Sequence, residues 1–171
     1  ILDVLRSISY SDRNLRLGTW KKTMGHLLKG KKVGIVGFGR IGRRLAELLG
    51  PFHCQLYIYD PYIHIAGDQE IKQVRTIAEL IETAEIISLH IPYTKENHHL
   101  LGCKQLEAMN PGTILINASR GKLVDEEALY DYLQNGRIAG AGFAAFEKEP
   151  YSGPLSKLDY VVLTPHMGSY A

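Results

Sequence analysis

The 171-residue sequence holds two cysteines, one tryptophan and four phenylalanines, and it has no long apolar run. Cys54 and Cys103 stand too far apart for a Cys-x-x-Cys redox pair, and a chain of this length needs no disulfide or metal staple. No apolar stretch approaches the roughly 18 residues of a membrane-spanning helix. The opening Ile1-Leu2-Asp3-Val4 has neither the basic flank nor the small-residue cleavage site of a secretory signal. Both cysteines are therefore expected as reduced thiols in a cytoplasmic protein. Charge of one sign is lacking too. Twenty Lys and Arg against 18 Asp and Glu leave +2, too mild for a nucleic-acid footprint, which needs clustered basic charge. There is no tandem repeat and no low-complexity tract. His53, His64, His98 and His99 have no metal-ligand spacing, read as surface or packing residues, and lead us to expect no metal. Because the first residue is not Met, the chain is expected to be a piece of a longer product. With 45% hydrophobic and 22% charged residues, what remains is a globular composition, enough for one domain of ordinary size or at most two small ones.

Glycine is the one excess, 17 residues where about 7% would be typical. Residues 1–17 read as one or two short amphipathic helices ending at Gly18, and Thr19-Trp20-Lys21-Lys22 as an exposed connector. From Lys31 onward, apolar runs alternate with helical stretches. Strands are expected at Val33–Val36, Leu56–Tyr59, Ile86–His90, Thr113–Asn117, Ile138–Phe143 and Val161–Leu163. Helices are expected at Ile41–Leu49, Thr76–Ala84 with a Thr76/Glu79 capping box, Lys104–Met109, and Asp125–Gln134 capped by Asp125. The strands are apolar throughout rather than alternating, so both faces must be covered. That predicts an α/β fold: a doubly wound parallel sheet with helices on both faces, preceded by a helical arm. Ligands of such sheets bind beyond the carboxyl ends of the strands, so the residues just after each strand are the ones to question.

The first of these turns is Gly37-Phe38-Gly39-Arg40-Ile41-Gly42, which follows a strand and opens a helix. Gly-x-Gly-x-x-Gly alone is weak, but this context is the confirming one. Gly37 permits the tight turn, Gly39 a close approach of backbone to a pyrophosphate, and Gly42 close helix–strand packing. The helix N-terminus offers free N–H groups and the positive end of its dipole. Asp60 lies 18 residues beyond Gly42, directly after the second strand. A carboxylate there accepts hydrogen bonds from the adenosine ribose and repels a 2′-phosphate, so NAD is expected rather than NADP. The blander reading makes Asp60 only an Asp-Pro turn. Three further post-strand segments follow: Ser88-Leu89-His90-Ile91-Pro92-Tyr93-Thr94, Ile116-Asn117-Ala118-Ser119-Arg120-Gly121, and Leu163-Thr164-Pro165-His166-Met167-Gly168. Glu149 precedes Pro150 between the last two strands.

These segments carry a resemblance. With Met109-Asn110-Pro111-Gly112, Gly136–Pro150 and above all Asn117-Ala118-Ser119-Arg120-Gly121-Lys122-Leu123-Val124-Asp125, the chain resembles the NAD-binding domain of the D-isomer-specific 2-hydroxyacid dehydrogenases over nearly its whole length. The resemblance implies a Rossmann domain over residues 23–171 and an arm over 1–22 that contacts a partner subunit, with Trp20 at the interface of a homodimer. The substrate domain would come from chain on both sides of this piece. The implied reaction is hydride transfer between NAD and C2 of a 2-hydroxy or 2-oxo acid. Arg120 would bind the acid, His166 donate or accept the proton, and Glu149 orient His166, with Glu147 a nearby rival for that last role. A guanidinium suits a carboxylate because it holds two oxygens at once, and imidazole titrates near neutral pH. Cofactor contacts are implied at Gly37, Gly39, Arg40, Ile41, Gly42, Asp60, His90, Pro92, Thr94, Ala118, Ser119, Arg120, Ala144, His166 and Gly168. At Ala144 the family normally has an aspartate that binds the nicotinamide carboxamide, so the sequence departs from the pattern there. The alternative is a dinucleotide-sensing module with little or no turnover. No nucleic-acid or membrane partner is expected.

Overall fold

The computed structural model of the chain describes residues 1–65 and 71–168. Segments 66–70 and 169–171, inside the range expected for the Rossmann domain, lie outside the described residues. Seven strands form one parallel sheet: β1 (Lys32–Val36), β2 (Gln55–Tyr59), β3 (Ile71–Gln73), β4 (Ile86–Leu89), β5 (Thr113–Asn117), β6 (Ile138–Phe143) and β7 (Val161–Leu163). Their order is β3-β2-β1-β4-β5-β6-β7, so the winding reverses between β1 and β4 and opens a crevice there.

Both faces are covered, as the unbroken apolar strands require. Val33 and Ile35 of β1, Ile86 of β4 and Ile114 of β5 are buried with Leu5 of α1 (Leu2–Arg6) and Ala46 and Leu49 of α3 (Arg40–Leu49). Val36, Ile87, Leu89 and Leu115 point to the opposite face. There they pack with Leu80 and Ile81 of α4 (Ile77–Thr83), Leu106 of α5 (Cys103–Ala108), and Leu129 and Leu133 of α6 (Glu126–Gln134). The period-2 alternation thus divides the central strands β1, β4 and β5 between two cores.

The arm is two helices, α1 and α2 (Ile8–Arg16), broken at Ser7 in a left-handed conformation. Helix α1 packs on the sheet: Leu5 is buried, and Val4 lies over Gly140 and Gly142 of β6 closely enough that a side chain at Gly140 would collide with it. Helix α2 buries no residue.

Three details differ from the sequence reading. Strand β3 was not expected; three residues on the sheet edge, after a stretch without apolar periodicity, leave too little pattern to read. The Thr76/Glu79 box is half formed: the Thr76 hydroxyl accepts from the Glu79 amide, but the Glu79 carboxylate reaches the Arg75 amide, one residue further back. A complete capping box occurs instead at Thr94/Asn97, opening the 3₁₀ turn Lys95–Asn97.

Candidate active site

The β1–α3 turn is shaped by contacts that leave no room for side chains at two of its glycines. Gly37 has φ +93°, and a Cβ there would meet the His90 carbonyl at 2.7 Å; one at Gly42 would meet the Gly37 carbonyl at 2.1 Å. Gly39 is the opposite case. It is exposed, and a Cβ added to it would meet nothing within 4 Å. The space above Gly39 is open to a ligand lying directly on the backbone, which is what a pyrophosphate needs. Gly39 is also the N-cap of α3, and no side chain caps its first-turn amides, so those donors remain for an anion. Arg40 and Ile41 stand exposed on the same turn.

Asp60 follows β2 and reaches back to this turn. One carboxylate oxygen accepts from the Phe38 amide at 2.8 Å and the other from the Tyr62 amide at 2.9 Å. Each oxygen keeps a second lone pair for the ribose hydroxyls that the sequence reading assigned to it. Asp60 is therefore both a turn residue and the lip of the crevice, so the two readings are compatible. Arg43, not anticipated from sequence, donates from Nε to the Phe38 carbonyl at 3.1 Å and lies over the Phe38 ring.

Across the crevice, the loop after β4 is joined to β1 by the His90 amide, which donates to the Val36 carbonyl at 2.7 Å. The His90 ring turns inward, 2.8 Å from the hydroxyl of buried Ser88, and burial pushes its pKa below the ordinary imidazole value. Further along, Pro92 and Thr94 are fastened by Asn97, which donates to the Pro92 carbonyl and accepts from the Thr94 amide.

The loop after β5 is organised by Asn117, fully buried at the strand end. Its carbonyl oxygen accepts from the amide and hydroxyl of Ser119, and its amino group donates to the Arg120 carbonyl. This internal bracing leaves Ala118 and Arg120 exposed, with Arg120 Nη1 donating to the Ser119 carbonyl at 2.7 Å. Gly121 then lies flat against the Phe146–Glu147 peptide; a Cβ would fall 1.8 Å from the Phe146 carbonyl carbon. Ala144 donates its amide to the Asn117 carbonyl, and its methyl offers no acceptor where the family's aspartate would stand.

The last two loops bring Glu149 and His166 together. Glu149 folds back so that Oε1 accepts from the Phe146 amide at 3.0 Å, and His166 Nδ1 lies 3.1 Å from both carboxylate oxygens. The Phe146 amide first, and then the imidazole, hold the Glu149 carboxyl below its ordinary range. His166 has φ +45°, and its amide donates to the Thr164 carbonyl, so the backbone bends sharply to present the ring. The rival Glu147 is engaged elsewhere, with its carboxylate hydrogen-bonded to His99. Arg120, Glu149 and His166 line one shallow cavity of about 360 Å³ with Tyr93 and Lys122. Gly168, just beyond, is exposed.

A glycine turn at a strand-order reversal, a carboxylate after β2, and a His–Glu pair beside an arginine define the class of protein: a dinucleotide-binding oxidoreductase domain. The comparisons narrow it. The family model of the D-isomer specific 2-hydroxyacid dehydrogenase NAD-binding domain matches residues 1–168, and the chain belongs to that family, whose cofactor is NAD. It is 43% identical over 180 residues to a glyoxylate reductase of Thermococcus litoralis, covering 99% of this chain and 54% of that protein. It is 38% identical over 174 residues to a D-3-phosphoglycerate dehydrogenase of Archaeoglobus fulgidus, covering 99% and 33%. Among solved structures, a glyoxylate reductase from Paecilomyes thermophila matches with a TM-score of 0.93 at 30% identity over 99% of this chain and 53% of that one. The chain thus spans about half or less of the proteins it matches. Among the described residues, no helix is long and apolar enough to cross a membrane.

Proposed function

We propose that this chain is the cofactor half of an NAD-dependent D-2-hydroxyacid dehydrogenase. Residues 23–171 would form the NAD-binding domain, and sequence outside this chain the substrate domain. The observation that carries the reading is the junction of Arg120, Glu149 and His166 in one cavity at the carboxyl end of the sheet. Gly37–Gly42 and Asp60 would hold NAD, which when bound would supply or accept the hydride. Arg120 offers its free guanidinium edge to the carboxylate and C2 oxygen of the acid, and a planar fork can hold both at once. His166 carries the proton: Glu149 accepts from Nδ1, which fixes the tautomer and turns Nε2 toward the substrate oxygen. The site built by this chain ends at the rim of the sheet, and the opposite wall is expected from the substrate domain.

The test uses both forms of the protein. The 171-residue chain should bind NADH in calorimetry yet leave glyoxylate and other 2-oxo acids unreduced, whereas the whole protein should reduce them. Substantial turnover by the chain alone, or none by the whole protein, defeats the reading. The second outcome would favour a dinucleotide-sensing module, the alternative that Ala144 supports.

We also infer a homodimer through the arm. Leu17, Trp20 and Met24 are 82%, 81% and 89% exposed, and Leu15 and Leu27 extend the apolar strip. Exposed apolar side chains in one stretch of chain are normally covered, and we take a second copy of the chain as the partner, since α2 and the connector after it leave these residues bare. Light scattering should give twice the chain mass, and Trp20→Asp should shift it toward monomer. Both cysteines are free.

A further inference from the structure

A second cluster lies behind the proposed catalytic pair, built from residues 48 positions apart in sequence. The Glu147 carboxylate hydrogen-bonds His99 Nε2. The other ring nitrogen of His99 lies 3.8 Å from the Asp125 carboxylate. The Glu147 amide donates to the Glu126 carboxylate at 2.7 Å, and burial, the largest influence on it, pushes the Glu126 carboxyl above its ordinary value. His99 itself is held from three sides. Its backbone is left-handed at φ +50°, its amide donates to the Lys122 carbonyl at 2.9 Å, and its ring stacks on His98 at 3.9 Å. The cluster is a hydrogen-bonded junction and not a metal centre: among the described residues, no group of three or more His, Cys, Asp or Glu could hold a metal ion.

The consequence lies in the neighbouring cavity, which Glu147 lines together with Arg120, Glu149 and His166. A carboxylate lining the same cavity has two groups it could capture. Pairing with Arg120 would take the guanidinium that the acid substrate needs, and pairing with His166 would displace Glu149 from the imidazole. The Glu147 carboxylate is already engaged by His99.

We propose that His99 is a positioning residue of the reaction: by retaining the Glu147 carboxylate at the α6 side of the junction, it keeps Arg120 free for the substrate and His166 free for Glu149. This inference rests on the function proposed above, and it makes Glu147 a liability that the fold restrains.

A purely structural role and a restraining role diverge in a double variant. His99→Asn tolerates the left-handed backbone, because Asn is at ease there, but it cannot reach Glu147. In the whole enzyme, with NADH and glyoxylate, His99→Asn should lower kcat/KM by about tenfold, within the coupling range for residues of one network, with most of the loss in KM. The double variant His99→Asn/Glu147→Gln should recover most of the loss, to the level of Glu147→Gln measured alongside it. A double variant no better than His99→Asn alone overturns the inference, because removing a junction that served only stability cannot be repaired by removing more of it. Should His99→Asn fold poorly by circular dichroism, His99→Gly keeps the backbone conformation and repeats the comparison. In the 171-residue chain, without turnover, ring ¹⁵N shifts of His166 should report a fixed Nδ1–H tautomer in wild type and in the double variant, but averaging in His99→Asn. Unchanged shifts in His99→Asn would count against capture of His166. His166→Gln is the control that separates the two claims. If it leaves activity intact, the proposed function falls and this inference with it. If it abolishes activity while the double variant shows no recovery, only the inference falls.

Discussion

The two halves of the sheet build their sites from different materials. Around β1 and β2 the cofactor crevice is made almost entirely of backbone: three glycines, the uncapped N-terminus of α3, and one carboxylate tied to a main-chain amide. Beyond β5 the proposed catalytic rim is made of side chains bracing loops. Asn117 holds the Arg120 loop, Gly121 locks that loop to the Phe146–Glu147 peptide, and Glu149 and His99 hold the segment that follows. A backbone site tolerates most surrounding sequence but no Cβ in the wrong place. A side-chain site depends on particular partners far apart in the chain. The two halves should therefore fail differently.

The largest effect is expected on the rim. In the whole protein, His166→Gln should lower kcat by about 10²–10⁴-fold, the usual worth of a positioned acid–base group, and remove one limb of the pH–rate profile. Arg120→Lys should also be severe, because a compact ammonium cannot span two oxygens. The carboxyl of Glu149 sits below its ordinary range, so its pairing with His166 is present above the ordinary carboxylate value. It is lost only as pH falls through the lower folded value. Acid inactivation attributable to Glu149 should thus begin below the range in which a free glutamate titrates, and a profile breaking within that range would contradict the pairing.

Two glycine substitutions sharpen the contrast. Gly121→Ala forces a methyl into the Phe146–Glu147 peptide and should cost about 1–3 kcal/mol or more of stability, read as a lower melting temperature and a disturbed rim. Gly39→Ala meets nothing and has an ordinary φ of −75°, so the melting temperature should hold. NADH binding should nonetheless weaken by about 1.5–3 kcal/mol, the worth of hydrogen bonds to a charged group that can no longer approach. If Gly39→Ala binds NADH normally, the pyrophosphate does not lie on that turn.

Asp60→Ala is expected to weaken NAD binding by about 1–3 kcal/mol and to narrow the preference for NAD over NADP. Because Asp60 also accepts from the Phe38 and Tyr62 amides, a modest loss of stability should accompany it. Titration with both cofactors separates the two roles, since unchanged discrimination would leave Asp60 only its turn.

This division also explains what the sequence could disclose. The glycine turn and the apolar strands are local patterns, readable because each depends on residues a few positions apart, and Asp60 was legible from its fixed spacing behind that turn and its place directly after a strand. Arg120, Glu149 and His166 were legible only through the resemblance of their motifs, since nothing local says that residues 120, 149 and 166 share a cavity. The choice of Glu149 over Glu147 rested on the proline that follows it. In the structure the two are separated by partners, His166 for one and His99 for the other. His99 read as a surface or packing residue because its partner lies 48 positions away. Strand β3 escaped for the converse reason, being too short for any period, and Arg43 because its acceptor is a carbonyl, which sequence does not mark.

The smallest effect concerns Ala144, just past β6: its amide is bonded to the Asn117 carbonyl, and its half-buried methyl offers no acceptor. If the nicotinamide carboxamide lies there as in the family, Ala144→Asp should tighten NADH by about 0.5–1.5 kcal/mol, the net value of one hydrogen bond. It should also raise kcat if ring orientation limits hydride transfer, since small misplacements at a reacting centre are costly. The opposing term is desolvation. A carboxylate in a half-buried site shaped around a methyl loses hydration without a partner, at a cost comparable to the gain. The new charge would also stand on the same rim as Glu147 and Glu149, which adds repulsion. NADH affinity and kcat of the whole protein, wild type against Ala144→Asp, decide between the two terms. A gain in both means that the crevice still holds the ring in the family's pose and lacks only an acceptor. Looser NADH with no gain in rate means that this rim orients the ring by other contacts, and the sensing alternative gains weight.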